Sequence, residues 1–454
     1  MKKKELEPTL AFTEYSFINE HREVFSRSEL GLFHTLIPFD QLEKQFSQPR
    51  QHRQEKGRHS IFSMRGKIAL MILKSKYNLS DKSLIERLNT DVAFQIFCDI
   101  HISPKSPLVD FKIVSRIRCE LSKKLDIMEF QKIIANALKS YISSNDLLIS
   151  MSDATCYESH LRFPTNQKLL WECVENNYKL LVCLSHELGL RTPRTKYLDV
   201  SAAYNSFAKT RKKSHKKKRR ISRRLLPLLK KLILEIKQLI NNKHIKLSRK
   251  DAQRFKISEK ILSQQTKLFN GEKIENRIVS ISKPYIRPIV RGKETKAVEF
   301  GAKVNSIQVG GFNFIEHIDF KAFHEGIRVP ECINLHKILF HRKPLFFAGD
   351  AIYATNANRT YCRLNHITTN FVPKGRLPQK DKEFKVIRKS LNKARSTVLE
   401  GSFGTEKEHY SLRKVKARTK KTEILWIVFG IHTANFARVA ARLFRADSKV
   451  IKAA

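Results

Sequence analysis

The segment FFAGDAIYATNANR, residues 346–359, places an acidic side chain directly after an apolar run. An ionised carboxylate is costly to bury unless a partner compensates its charge. We therefore expect Asp350 to lie at the end of a strand, where it either meets water or holds a cation. Helix-forming residues continue from about Asn356, so the segment predicts a strand, a turn and then a helix.

Other strands are predicted on both sides of this segment. NDLLISMSDATCYES (145–159) predicts a short apolar strand that ends at Asp153. Alternating apolar residues between 298 and 304, followed by Gly310-Gly311 and two phenylalanines, predict a β-hairpin. The rest of this part of the chain reads as a helix in ECINLHKILFHR, the strand PLFFAGD, a helix, the strand TTNFVPKG, a helix around LEGSFGTEKEHYSL and a last amphipathic helix. A hairpin beside parallel strands with helices on the faces is a mixed α/β sheet.

Two further regions have helical periodicity. Residues 20–140 form the first, in which Ser80 and Asp81 are placed to cap a helix. Its short helices with basic faces fit either a helix-turn-helix-like DNA reader or a dimerisation bundle. The second interrupts the strands, so the sequence predicts three parts. These are a helical DNA-binding or dimerisation domain (1–140), a catalytic domain (141–164 and 277–446) and a basic helical insertion (165–276).

The charge of the chain predicts a nucleic-acid partner. Lys and Arg number 88 against 43 Asp and Glu, which gives a net charge of +45 at pH 7. The run RKKSHKKKRRISRR (211–224) contributes ten of these charges, so most of the excess is spread over the chain. Such a surface attracts phosphate backbones by counterion release, although a solvated face is the alternative for the run alone. The candidate DNA-binding residues in the run are Arg211, Lys212, Lys216, Lys217, Arg219 and Arg220.

Cysteines and apolar segments predict a cytoplasmic protein. The seven cysteines form no CxxC pair and no zinc-like spacing, and an odd number fits a reducing compartment. The N-terminal MKKKELEPTL lacks the apolar core of a signal peptide. The late apolar run ILWIVFGI (424–431) is too short to span a bilayer. We therefore expect no membrane partner, and a cytoplasmic, nucleoid-associated location.

Three carboxylates could meet at one edge of the predicted sheet. Asp153 and Asp350 end strands in this reading, and Glu400 lies on a late helix that can pack across the sheet. Glu406 and Glu408 compete with Glu400 for the third place, and Asp153 could also simply cap a turn. An oxygen-rich pocket of this kind suits Mg²⁺ or Mn²⁺. Two such ions can activate a water and stabilise the leaving oxygen of a phosphodiester.

Several segments resemble a known family. They are SDATCYESHLRFPTNQKLLWEC, RPIVRGKETKAVEFGAKV, FFAGDAIYATNANR and RSTVLEGSFGTEKEHYSL, with LSDKSLIERLNTDVAFQIF near the N-terminus. Over residues 35–440 the chain is similar to bacterial insertion-sequence transposases of the DDE class, in the IS4/IS5-type group. The resemblance implies an α/β fold with an RNase H-like mixed sheet and flanking helices, interrupted after its first strand by the helical insertion. It also implies that Asp153, Asp350 and Glu400 are the catalytic, metal-binding acids.

The resemblance further implies DNA-binding residues near these acids. Lys407 lies two helical turns beyond Glu400 and could reach a DNA phosphate near the cut, with a solvated helix lysine as the alternative. Arg395 lies close to where many relatives carry an arginine. The tyrosine that some relatives place ahead of that arginine has no clear match here. Residues after the second acid, and residues of VPKGR at the end of the strand TTNFVPKG, are also candidates for DNA contact. They are Asn356, Asn358, Arg359, Lys374 and Arg376. For those after the second acid, a helix cap and a surface arginine are the alternative. His432 and Asn435 are expected to be packing or surface residues.

The resulting hypothesis is a DNA transposase of an insertion sequence. It would cut element ends with one or, as we expect, two Mg²⁺ or Mn²⁺ ions and join the freed 3′-hydroxyl to target DNA. Its partners would be double-stranded DNA, both as terminal inverted repeats and as target, and a second copy in a homodimer. Two alternatives remain open on the sequence. One is a non-catalytic DNA-binding protein derived from such an enzyme, and the other is a stand-alone metal-dependent nuclease.

Overall fold

The computed structural model describes residues 12–47, 60–290, 297–374 and 381–453. The chain divides into two compact units. Unit 1 comprises Met1–Ser159, Lys303–Asp319 and Phe323–Ala454, and unit 2 comprises His160–Ala302 and Phe320–Ala322. The three-domain division remains a prediction, because a division into two units does not test it.

Helices begin where the sequence supplies polar caps. The side chains of Ser28, Ser63, Ser80 and Asp126 each accept a backbone N–H at a helix start, as expected for Ser80. The helices are α1 (Phe12–Arg27), α2 (Glu29–Leu36), α3 (Phe39–Phe46), α4 (Met64–Lys76), α5 (Asp81–Thr90), α6 (Val92–Phe97), α7 (Lys112–Lys124), α8 (Ile127–Leu138), α9 (Asn166–Glu187), α10 (Tyr197–Lys209), α11 (His215–Lys243), α12 (Arg249–Phe269), α13 (Val329–Phe340), α14 (Asn356–Leu364), α15 (Asp381–Ala394), α16 (Glu400–His409) and α17 (Lys420–Ala453).

The strands form one mixed sheet and one small ribbon. They are β1 (Ile149–Ser159), β2 (Ile289–Val290), β3 (Val298–Glu299), β4 (Gly301–Val309), β5 (Phe312–Asp319), β6 (Phe346–Ala348), β7 (Thr368–Thr369) and β8 (Lys414–Val415). The sheet has the order β5-β4-β1-β6-β7, with β8 paired to the far end of β1. β4 and β5 are antiparallel, whereas β1 runs parallel to β6 and β8, and β6 runs parallel to β7.

The predicted hairpin is confirmed, with its turn at Gly310 and Gly311. Both glycines have positive φ values, 58° and 85°, which other residues adopt only with strain. Some strand boundaries differ from the predictions. Residues 298–299 pair with 289–290 as a separate ribbon. In the described part of TTNFVPKG, residues 368–374, the strand covers Thr368–Thr369 alone.

The first strand is longer than predicted. It continues through Asp153 to Ser159, so the expectation that it ends at Asp153 is wrong. The extra length is stabilised by β8, which pairs Glu158 with Lys414 and Ser159 with Val415. Since β8 lies more than 250 residues further along the chain, the local sequence around Asp153 cannot predict this pairing.

Unit 2 consists mainly of helices α9 to α12, as the periodicity of 165–276 predicts. Apolar residues of α9 and α11 form its centre, among them Leu170, Val174, Leu225, Leu229, Leu232 and Ile236. Burying such side chains contributes about 1.5–3 kcal/mol each, before the cost of ordering them is subtracted. The exposed face of α11 is left to its lysines and arginines.

Helix α17 contains the late apolar run. The expectation that this run is too short to cross a membrane considered eight residues, but the helix has 34 residues. In the described chain, its stretch Lys420–Ala446 is long and apolar enough to span a bilayer, judged by length and composition. However, 72% of the most apolar window is buried, where α17 packs on α2, α4 and α7 within unit 1. A core helix has the same properties, so α17 is weak evidence for a membrane.

Candidate active site

The two aspartates come together because of the register between β1 and β6. These parallel strands pair Ile149 with Phe346 and Met151 with Ala348. Continued by two residues, the same register sets Asp153 beside Asp350. β6 ends at Ala348, whereas β1 continues. Both carboxylates therefore lie at the carboxyl end of β6, the edge at which parallel α/β sheets usually carry their sites.

Asp350 lies two residues beyond the end of its strand and is exposed to solvent. It caps a 3₁₀ turn, Ala351–Tyr353, and its Oδ1 accepts the backbone N–H of Ala351 at 2.6 Å. Tyr353 anchors the turn to the core, since its side chain is fully buried and its hydroxyl donates to Asn305. The carboxylate thus has a fixed backbone and a free outer face, which suits a group that binds a ligand.

Arg395 joins the third acid to the first. Its Nη1 lies 3.1 Å from Asp153 Oδ2 and 3.0 Å from Glu400 Oε1. Arg395 begins a π-helical turn, Arg395–Leu399, and Glu400 begins α16 directly after it. Such π-helical turns are rare and frequently occur at functional sites. The guanidinium therefore brings together two carboxylates that lie 247 residues apart in sequence.

Asp153 lies in an environment that disfavours its charged form. Burial is the largest cause and raises the pKa of Asp153 to about 6, against lowering by the Ala154 N–H and by Arg395. Glu325 and Asp350 raise the pKa further through their negative charges. A cation beside Asp153 would relieve its repulsion from Glu325 and Asp350. The guanidinium of Arg395 does so in part.

Glu325 is an acid near the site that the sequence reading missed. It begins the 3₁₀ turn Glu325–Ile327, is largely buried, and pairs with Lys303 on β4 at 2.5 Å. The turn packs against the turn that follows Asp350. No periodicity or cap signal marks Glu325, because it reaches the site only through the packing of two turns.

The structure also separates the three glutamates that competed for the third position. Glu400 contacts Arg395, as described above. Glu408 is exposed and pairs with Arg413 at 3.3 Å. Glu406 is buried on the other side of α16, where Tyr157 donates to its Oε2 and Asn313 donates to its Oε1 at 2.6 Å. Glu400 is therefore the one whose contact with Arg395 connects it to Asp153.

Burial raises the pKa of Glu406 to about 7, although its hydrogen bonds from Tyr157 and Asn313 lower it. The buried polar network around it extends to Asn435, whose amide pairs with the backbone of Asn313. His432 and Asn435 are both buried, so of the two roles expected for them, packing or surface, they have the packing role. Burial lowers the pKa of His432 to about 3, so its imidazole is neutral.

Lys407 approaches the same strand as Arg395. Its Nζ donates to Thr155 Oγ1 at 2.7 Å and lies 5.8 Å from the ring centroid of Tyr157. Thr155 follows Asp153 by two residues, and alternate residues of a strand share a face. Arg395 and Lys407 therefore place positive charge along one face of β1, beside Asp153.

The residues after Asp350 divide between packing and surface. Asn358 is buried and donates to the carbonyls of Gly326 and Tyr353, so it stabilises the turns and is not free to contact DNA. Arg359 donates to Ala354 O at 3.1 Å and lies over the ring of Phe371. Lys374 donates to Asn356 Oδ1 at 2.9 Å and remains exposed to solvent in part. Arg376 lies outside the described residues.

The basic run of unit 2 begins just before α11, with Arg211 and Lys212, and continues into its first turns, where Ser214 accepts the backbone N–H of Lys217. The six candidate residues are exposed, and Arg219 also lies over the ring of Phe269 at 5.1 Å. They are Arg211, Lys212, Lys216, Lys217, Arg219 and Arg220. Their exposure is compatible with phosphate binding and with a solvated face alike.

The carboxylates fit a hard divalent cation in chemistry. Within the described ranges, no group of three or more His, Cys, Asp or Glu side chains is placed so that it could hold a metal ion. Asp153 and Glu400 instead share the Arg395 guanidinium, which is a cation placed between two oxygen donors. Oxygen donors are the ligands that Mg²⁺ and Mn²⁺ prefer. The oxygen donors of the three acids, whose negative charge Arg395 neutralises only in part, therefore match such an ion in chemistry.

Two family models match the chain. The Transposase domain (DUF772) matches residues 19–120, which include most of the N-terminal helices. The Transposase DDE domain matches residues 347–436, a range that contains Asp350, Arg395, Glu400 and Lys407 but not Asp153. Comparison with curated proteins and with solved structures finds no match.

Proposed function

We propose that this chain, which its two family matches identify as an insertion-sequence DDE transposase, cuts DNA at the ends of its element and joins the freed 3′-hydroxyl to target DNA. One arrangement carries the proposal. The β1–β6 register sets Asp153 beside Asp350, and Arg395 links Asp153 to Glu400. Membership of the IS4/IS5-type group is part of the proposal, since neither match distinguishes that group.

An RNase H-like core interrupted after its first strand is also part of the proposal. The mixed α/β sheet supports it, because the chain leaves β1 for the helices α9 to α12 and returns to the sheet at β4. In this reading unit 2 carries the insertion, and the division into 1–140, 141–164 with 277–446, and 165–276 is retained as a hypothesis.

Asp153, Asp350 and Glu400 would hold the metal, with two ions of Mg²⁺ or Mn²⁺ in the complete site. When bound, these ions polarise a water and stabilise the leaving oxygen of the phosphodiester. The carboxylates supply the negative charge that attracts the ions. Arg395 would exchange at least one carboxylate for a DNA phosphate, since a guanidinium binds both groups with paired N–H donors.

DNA is the partner that a transposase implies, and the charge of +45 supports it. We propose that Lys407, Arg359, Lys374 and Arg376 contact DNA near the cut, and that the start of α11 also binds DNA phosphates. The N-terminal helices would recognise element ends or pair two protomers in a homodimer. A cytoplasmic, nucleoid-associated location follows from the same partner.

The basic start of α11 makes a testable contribution to DNA affinity. Replacing Lys216, Lys217 and Arg220 with glutamine should weaken DNA binding and reduce the slope of log K against log salt by up to about 2.7. The slope is obtained from fluorescence-anisotropy titrations of a duplex at several salt concentrations.

A matched control removes three positive charges from the middle and the end of α11 and the segment after it, outside the basic run. Lys230, Lys243 and Lys246 are exposed, and their replacement with glutamine changes the net charge equally. If both triple variants lower the slope to the same extent, the effect is one of net charge, and the start of α11 is not a dedicated DNA-binding surface.

The experiment that tests the function uses the wild-type protein and DNA carrying the ends that flank its own gene. With Mg²⁺ or Mn²⁺ we expect 3′-end cleavage and joined products with a second DNA, and neither product with EDTA. Cleavage without joining would indicate a stand-alone nuclease. Binding without cleavage under any metal condition would indicate a non-catalytic DNA-binding protein.

A further inference from the structure

The side chain of Asn370 continues the sheet where the backbone pairing of β6 and β7 stops. The strands pair Phe346 with Thr368 and Phe347 with Thr369. Beyond them, Asn370 Oδ1 accepts the N–H of Gly349 at 3.0 Å, and its Nδ2 donates to the carbonyl of Gly349 at 2.8 Å. A primary amide presents a donor and an acceptor side by side, as a peptide group does, so one side chain satisfies both backbone groups of Gly349.

The position of this pair matters because Gly349 directly precedes Asp350. Asn370 is only 5% exposed, and both of its bonds to Gly349 are buried. Without the amide, the N–H and C=O of Gly349 would lose these partners, and unpaired buried backbone groups are rare and costly. Asn370 therefore fixes the backbone of Gly349, which directly precedes Asp350.

The same amide also reaches the segment that carries Arg395 and Glu400. Asn370 Nδ2 donates to Asn392 Oδ1 at 2.6 Å. Asn392 lies in the last turn of α15, which leads directly into the π-helical turn Arg395–Leu399 and then into α16. One buried side chain thus touches both segments that bring acids to Asp153.

We propose that Asn370 is a positioning residue of the active site, which holds Asp350 in register with the segment of Arg395 and Glu400. This inference rests on the proposed function, because it assigns Asp350 and Glu400 to the reaction. Asn370 does not touch DNA or metal in this role, and it acts through Gly349 and Asn392. An aspartate of the same shape cannot replace it, since a carboxylate oxygen would then face the carbonyl of Gly349 with no hydrogen to donate.

Asn370→Asp is the most informative variant, and three measurements apply to it. Outer-shell partners of metal ligands typically change metal affinity or activity by 10–100-fold. We therefore expect Mn²⁺ affinity, measured by EPR of the free ion, to fall about tenfold or more, and kcat for cleavage to fall by a similar factor. The KM for DNA should stay within about twofold, because the DNA-binding residues are unchanged. Hydrogen exchange of the peptide 346–353 should accelerate at Gly349.

Asn365→Asp is the matched control. Asn365 lies at the end of α14, where its Nδ2 donates to Tyr361 O at 2.9 Å and its Oδ1 accepts from Lys343 at 3.3 Å. It has no hydrogen bond to the segments of Asp350 or Arg395 among those described. The same chemical change there should leave Mn²⁺ affinity and kcat near wild-type values.

Asn392→Ala tests the contact between Asn370 and α15. It also keeps the inference testable if Asn370→Asp does not fold. It removes the hydrogen bond to α15 but keeps both hydrogen bonds between Asn370 and Gly349. We therefore expect Mn²⁺ affinity to fall by about threefold, which is less than the 10–100-fold typical of outer-shell partners. Wild-type Mn²⁺ affinity and kcat in both variants would overturn the positioning role. Faster exchange at Gly349 with unchanged kcat and affinity would also overturn it, leaving a structural bond only.

Failure of the proposed function is distinguishable from failure of this inference. If the wild-type protein neither cuts DNA nor binds Mn²⁺, the function proposed above is wrong, and with it the active-site role of Asn370. If the wild type cuts and binds while the variants match it, only the role of Asn370 is wrong.

Discussion

Replacement of Asp153 with asparagine is expected to lower the rate of cleavage at the element ends by on the order of 10³-fold, with DNA affinity within about twofold. An amide keeps the shape of the side chain but removes the charge that attracts a divalent ion. It also leaves Arg395 with Glu400 as its remaining carboxylate partner of the two. Cleavage of end-labelled duplex and anisotropy titrations, both with Mg²⁺, measure the two quantities.

The stability of this variant should not fall. Burial raises the pKa of Asp153 to about 6, which means that the folded site already disfavours the ionised carboxylate. A neutral amide avoids that cost, so thermal unfolding should occur at or above the wild-type temperature at pH 8. Lost cleavage in a stable, DNA-binding variant cannot be attributed to unfolding.

Asp350→Asn and Glu400→Gln should lower the rate of cleavage by a similar factor and keep DNA affinity near the wild-type value. Glu408→Gln is the control. Glu408 lies on the same helix as Glu400 but is exposed and pairs with Arg413. Its neutralisation should leave cleavage unchanged. Wild-type cleavage by Glu400→Gln would remove Glu400 from the reaction and would make Glu325 the next acid to test.

The second large effect concerns the buried carboxyl of Glu406. We expect the free energy of unfolding to fall by roughly 3 kcal/mol between pH 5 and pH 8 because of this group. The cause is its burial, which raises the pKa in the folded protein from the usual 4.5 to about 7. Between these two values the folded state binds the proton more tightly than the unfolded state. Stability is therefore greatest below pH 4.5 for this group and is lost as pH rises through 7.

Glu406→Gln isolates the contribution of this group. The variant cannot ionise, so the pH dependence of its unfolding should be flatter than that of the wild type by roughly the same 3 kcal/mol. Urea titrations at pH 5, 6, 7 and 8 give the comparison. Asp153 contributes a slope of the same sign in both proteins, and it cancels in the difference.

Glu408→Gln again provides the reference, because an exposed carboxyl paired on the surface contributes little to stability. If Glu406→Gln retains the full wild-type slope, Glu406 is not the group that titrates. The pH dependence would then belong to other buried carboxyls such as Asp153.

Local patterns of the sequence determined much of this protein. Capping serines, the 3.6-residue periodicity and the Gly310–Gly311 turn specify most helices and the hairpin, because these signals act between residues a few positions apart. The apolar run before Asp350 specifies a strand followed by a turn for the same reason. The net charge of +45 and the segments shared with DDE transposases were also readable without a structure.

Only the tertiary structure decided how the acids meet. The length of β1 depends on β8, and the contact between Arg395 and Asp153 joins residues 242 positions apart. That Glu400 contacts Arg395 while Glu406 does not depends on which face of α16 is buried. Glu325 and Asn370 join the site through turns and side-chain hydrogen bonds that have no period. Such contacts form because distant segments are packed together by the burial of their apolar faces, and a pattern within one segment contains no information about its partner.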